Sequence, residues 1–145
     1  MNKIYRVFII FSFLLLLVGC RRKETLSCRY SESYENQVMD LEMQFLKEKY
    51  ISSGKLTMRY DLSKLSNRKE IINKQFKNTC DNIGENYSNC SVKETNNGVD
   101  VSMNFNLDSL EKNSNGSFNK EMNLEELEDF IKKRFGKDKL ECSIN

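Results

Sequence analysis

Apolar and polar residues alternate through much of this chain, in stretches separated by polar loops. Leu26, Cys28 and Tyr30 share one face of a first strand. After a polar turn over 31–37, Met39, Leu41, Met43 and Phe45 point one way and Asp40, Glu42 and Gln44 the other. A third segment sets Tyr50, Leu56, Met58, Tyr60 and Leu62 opposite Lys55, Thr57, Arg59 and Asp61. A tight turn at Glu48-Lys49 places Leu41 opposite Leu56, and Met43 and Phe45 opposite Gly54 and Ser52. The period then lengthens. Ile72, Phe76, Cys80 and Ile83 recur every three to four residues, with Ile71 alongside, which predicts a helix. It opens with an Asn67–Glu70 capping box and stops near Gly84.

Alternation returns on both sides of Asn96-Asn97-Gly98, where Asn-Gly suits a type I′ hairpin. That turn sets Val92 opposite Met103 and Cys90 opposite Phe105, with Asp100, Ser102, Asn104 and Asn106 on the outer face. Residues 108–122 are polar and read as irregular. A second capping box, Asn123 and Glu126, starts a helix whose buried stripe is Leu124, Leu127, Phe130, Ile131 and Phe135. Its acids come early and its bases late, as the helix dipole favours. Gly136 ends it, and Leu140, Cys142 and Ile144 form a last strand. Strands with one wet face imply an α+β fold: a two-layer, mostly antiparallel sheet of about six strands, ordered βββαββαβ, with two helices packed on one face.

The first twenty residues follow neither period. Lys3 and Arg6 precede Val7 to Val18, an apolar run interrupted only by Ser12, and the run ends Leu17-Val18-Gly19-Cys20. The length suits a signal h-region and is short for a bilayer span. This segment resembles the signal peptide of a bacterial lipoprotein, with Leu17-Val18-Gly19-Cys20 as its lipobox. The resemblance implies that residues 1–19 are removed and that Cys20 carries a thioether-linked diacylglycerol. It also implies a protein held on the cell membrane, facing outside the cytoplasm. Residues 20–25 then form the lipidated cysteine and tether, and 26–145 a single domain. Arg21, Arg22 and Lys23 would lie against anionic headgroups, each adding about 1 kcal/mol of attraction. The alternative is an uncleaved signal anchor, because positive charge directly after the apolar run resists translocation.

Removing 1–19 takes away Lys3 and Arg6 and no acid, leaving 21 basic and 21 acidic residues. That balance argues against a nucleic-acid partner, which calls for a basic surface. With Cys20 assigned to lipid, Cys28, Cys80, Cys90 and Cys142 remain, an even number that reads as two disulfides in an exported domain. Of the three connectivities, Cys28–Cys142 and Cys80–Cys90 fit the pattern. The first pair lies in strand-like segments near opposite ends of the mature chain, and the second flanks a short loop. The cysteines do not form a Cys-x-x-Cys motif, so thioredoxin-like redox chemistry is not expected.

The chain has no His, which excludes Ser-His-Asp and Cys-His nucleophile systems and His-ligated zinc or haem. Its six glycines are scattered, without a phosphate-cradling loop. No cofactor is expected. Asp40, Glu42 and Asp100 share the wet face, where acids can act as a glycosidase pair or hold Ca²⁺. The simpler expectation is a solvated face paired across strands with Lys55 and Arg59. Glu125, Glu126, Glu128 and Asp129 similarly read as helix-start electrostatics. Tyr30, Tyr50 and Tyr60 can line a groove or sit in the core with hydroxyls at its rim. Lys132, Lys133 and Arg134 can touch anionic polymer or simply close a helix.

A lipobox cysteine, a strand meander, an amphipathic helix, a hairpin, a second helix and a terminal strand together are similar to the YehR-like small bacterial lipoproteins. That resemblance implies the layout and the anchor at Cys20, and no activity. The expected function is a lipid-anchored, non-enzymatic envelope protein that binds an envelope protein partner or has a structural role. A small-molecule or ion-binding lipoprotein is the alternative, followed by a carboxylate-based hydrolase.

Overall fold

The computed structural model describes residues 22–136 and 139–145. Cys20, Arg21 and the apolar run before them lie outside the described residues. Six strands form one antiparallel sheet: β1 (Glu24–Tyr34), β2 (Gln37–Lys47), β3 (Ile51–Asp61), β4 (Tyr87–Glu94), β5 (Gly98–Phe105) and β6 (Glu141–Ile144). Their spatial order is β4-β5-β3-β2-β1-β6, so the last strand closes against the first. Helix α1 spans 68–81 and widens into a π-helical turn at Ile72–Phe76. Helix α2 covers Leu107–Asn113, and α3 covers Leu124–Phe135.

The alternating patterns sort the residues between core and solvent as expected of an α+β fold. Leu26, Cys28, Met43, Phe45, Leu56, Val99, Val101 and Met103 enter one core with Ile72 of α1 and Leu124, Leu127 and Ile131 of α3. Gly54 makes room for the rings of Phe45 and Phe105. It lies opposite Phe45, and Phe45 stacks on Phe105 with centroids 4.9 Å apart.

Both hairpin registers differ from expectation by two residues. Leu41 faces Met58, Met43 faces Leu56 and Phe45 faces Gly54, with an irregularity at Leu46/Lys47. Glu48-Lys49 lacks residues suited to positive φ, and the chain makes a wider loop in which Glu48 N donates to Tyr50 O. A shift of two preserves side-chain parity, so the core face is unchanged. In the second hairpin Val92 faces Val101, and Tyr87 rather than Cys90 faces Phe105. Thr95 and Gly98 flank a turn at Asn96 and Asn97, so Gly98 closes the turn instead of lying within it: Thr95 N donates to Gly98 O, and Gly98 N donates to the Thr95 hydroxyl. Asn89, at φ 50°, lies within the irregular stretch of β4 between Ser88 and Ser91, beside Cys90.

The helices also depart from the pattern. Asn67 makes no side-chain cap, because its backbone is not in the extended conformation that aims an Asn at the first turn. Its intended partner Glu70 instead accepts from Lys74 at 2.6 Å. The Asn123–Glu126 capping box is complete. All of helix α2 but Leu107, and the buried Phe118, fall within 108–122, a stretch that reads as irregular in sequence. Phe118 is fully buried against Phe130, and its N–H donates to the Ser114 hydroxyl at 3.0 Å. Phe135, by contrast, is exposed.

Candidate functional site

The outward face of the sheet collects the polar residues that alternate with the core. Glu42 occupies its centre because β2 runs between β1 and β3. Arg29 of β1 is the cross-strand partner of Glu42, and Arg59 of β3 lies two positions along from its other neighbour, Thr57. The guanidinium groups reach the two carboxylate oxygens separately, Arg29 at 3.3 Å and Arg59 at 3.4 Å. Gln44 Nε2 donates to Glu42 Oε1 at 2.9 Å. The Glu42 side chain is only 14% exposed, whereas its arginine partners are more than half exposed.

Burial opposes ionisation of Glu42, but the hydrogen bonds from Gln44, Arg29 and Arg59 and the positive charge of Arg29 outweigh it. They hold its carboxyl below the ordinary value. A glycosidase acid calls for the opposite shift, a carboxyl whose pKa is raised. Asp40 accepts from the Ser31 hydroxyl at 2.5 Å and lies opposite Arg59. Asp100 lies opposite both Arg59 and Lys93. The three acids therefore sit among cations, as paired strand faces do. Lys55 stands opposite Gln44 and Asn104. Among the described residues no group of three or more acids, cysteines or histidines is arranged to hold a metal ion.

Arg29, Ser31, Asp40, Glu42, Arg59, Lys139 and Glu141 rim an open depression of about 620 Å³ on this face. Lys139 reaches across the sheet edge to a second constellation. Its Nζ is 3.9 Å from Glu32 and 5.7 Å from the centroid of the Tyr30 ring. The hydroxyl groups of Tyr30 and Tyr34 lie against the Glu32 carboxylate and, with the Lys139 charge, hold it below its ordinary value. Alternation along β1 puts Tyr30, Glu32 and Tyr34 on one face, a triplet that the sequence reading did not single out.

The structure does not bring the three candidate tyrosines together. Tyr30 is half-buried near Glu32, and Tyr60 packs on Phe76 with ring centroids 4.7 Å apart. Tyr50 is 43% exposed at the opposite end of the strands. On α3, Glu126 serves the cap and Glu128 pairs with Lys132 one turn later. Lys133 and Arg134 are exposed. Lys23 pairs with Glu48 at 3.4 Å.

The cysteines are joined as Cys28–Cys142, with an S–S distance of 2.09 Å, and as Cys80–Cys90, at 2.06 Å. Cys28 and Cys142 are direct cross-strand partners in β1 and β6. The second bridge fastens α1 to the irregular part of β4. No family model matches the sequence, and no curated protein or solved structure matches it either.

Proposed function

We propose that this chain is a lipid-anchored protein of the bacterial cell envelope, held through Cys20 and facing outside the cytoplasm, that acts by binding rather than catalysis. The carrying observation is a lipobox-like run followed at once by a domain closed by two disulfides. Disulfides of this kind persist outside the reducing cytoplasm, which supports an exported domain. Kinship to the YehR-like lipoproteins is part of the proposal and rests on the order of elements read from the sequence. Support for binding comes from Glu42, whose carboxylate is committed to Arg29, Arg59 and Gln44. An envelope protein is the proposed partner. The second reading, a small polar ligand, draws on the open depression beside Arg29 and Arg59.

Mass spectrometry of the membrane fraction tests the anchor. The wild-type chain is expected to lose residues 1–19 and gain lipid, whereas Cys20→Ala should remain an unlipidated full-length precursor. A Cys20→Ala chain cut and lipidated as usual refutes the proposal. Pull-down from native membranes, compared with Cys20→Ser, tests the binding role; absence of an enriched partner removes its support.

A further inference from the structure

The chain enters the domain at one end of the sheet. Strand β1 begins at Glu24, earlier than the tether boundary at residue 25 suggests. Four residue steps separate Cys20 from Glu24, a reach of at most about 14 Å. Glu24 lies opposite Lys47, so the β2–β3 loop occupies the same end. Tyr50 projects from that loop with Lys49 Nζ 5.1 Å from its ring centroid. Ile144, opposite Leu26 in β6, is also there. Tyr50 and Ile144 are two of the four exposed large apolar or aromatic side chains among the described residues. Arg22, Lys23 and Lys49 are exposed beside them. A tyrosine with flanking cations, on a short leash from a lipid, matches the composition that settles at a bilayer interface.

We propose that this end of the sheet docks on the membrane surface, with Tyr50 at headgroup level and Arg22, Lys23 and Lys49 against anionic lipid. The proposal rests on the anchor at Cys20. It fixes an orientation in which the β1–β2 turn points away from the bilayer, because the ten steps of β1 carry Tyr34 about 33 Å from Glu24. Docking leaves the depression around Glu42 on the side of the upright sheet, open to a partner.

The natural chain has no Trp, so Tyr50→Trp and Tyr34→Trp each introduce a single reporter at an exposed site. The protein isolated from membranes is reconstituted into phosphatidylethanolamine–phosphatidylglycerol vesicles whose acyl chains are brominated near the glycerol end. The Tyr50→Trp protein should lose about half its emission, because interfacial side chains sit within roughly 5–10 Å of the acyl boundary. The Tyr34→Trp protein should keep its emission. Unquenched Tyr50→Trp protein that floats with the vesicles overturns the docking and leaves the anchor standing; equal quenching of both variants does the same. A chain that fails to float with the vesicles overturns the anchor, and the docking with it.

Discussion

A methyl group at Gly98 would fall 1.8 Å from the carbonyl oxygen of Tyr60. The obstacle is backbone in the neighbouring strand, which cannot rotate away. Gly98→Ala is therefore expected to destabilise the protein by about 2–3 kcal/mol, measured as a lower urea midpoint; an unchanged midpoint contradicts the close approach. The expectation that Gly98 supplies a positive-φ turn identified the right residue for another reason. Proximity to β3 lies outside local sequence pattern. Glu42 carries a pH signature. Its folded-state pKa is below its ordinary value of 4.5, so its stabilising contribution is complete above that value and disappears as pH falls through the lowered folded-state pKa. Glu42→Gln should cost about 1 kcal/mol near neutrality, given its exposed arginine partners. Urea titrations across pH should show that difference vanish in acid; a difference constant with pH speaks against the Arg29–Glu42–Arg59 pairing.

The two disulfides secure elements of unequal strength. β6 has four residues, and pairing with β1 alone gives it little independent stability. Cys28–Cys142 closes a sequence separation of 114, and Cys80–Cys90 one of 10. In the chain-entropy model these correspond to about 4.8 and 2.7 kcal/mol. Paired Cys→Ser variants should reproduce that order in urea unfolding, with rapid amide exchange in β6 when the long bridge is absent. Equal losses would indicate that native packing, rather than loop closure, governs the effect. Of the two capping boxes read from the sequence, only one forms. Asn123 and Glu126 close their box, whereas Asn67 has the same spacing to Glu70 but a different backbone angle. Residue types alone leave that angle open.

For the whole molecule, alternation specified most of the side chains that enter the core, because a register error of two preserves side-chain parity; Tyr50, read onto the core face, is exposed and Ile51 is buried in its place. The exact pairings depended on the loop at Tyr50 and the irregularity beside Asn89, which hydrophobic pattern does not encode. Phe118 was the larger omission. A lone aromatic in a polar stretch gives no period, and its burial depends on α3 presenting Phe130. The polar face was legible as a set of residues, including Arg59 as a partner, but Arg29 joins Glu42 only once β1 lies against β2. Strand β1 is paired with β2 along all eleven of its residues and is bridged to β6 through Cys28. Tension entering at Glu24, opposed by a load at the far turn, would pull β1 lengthwise against its neighbours. The paired residues would resist in parallel, in shear, instead of peeling apart one at a time.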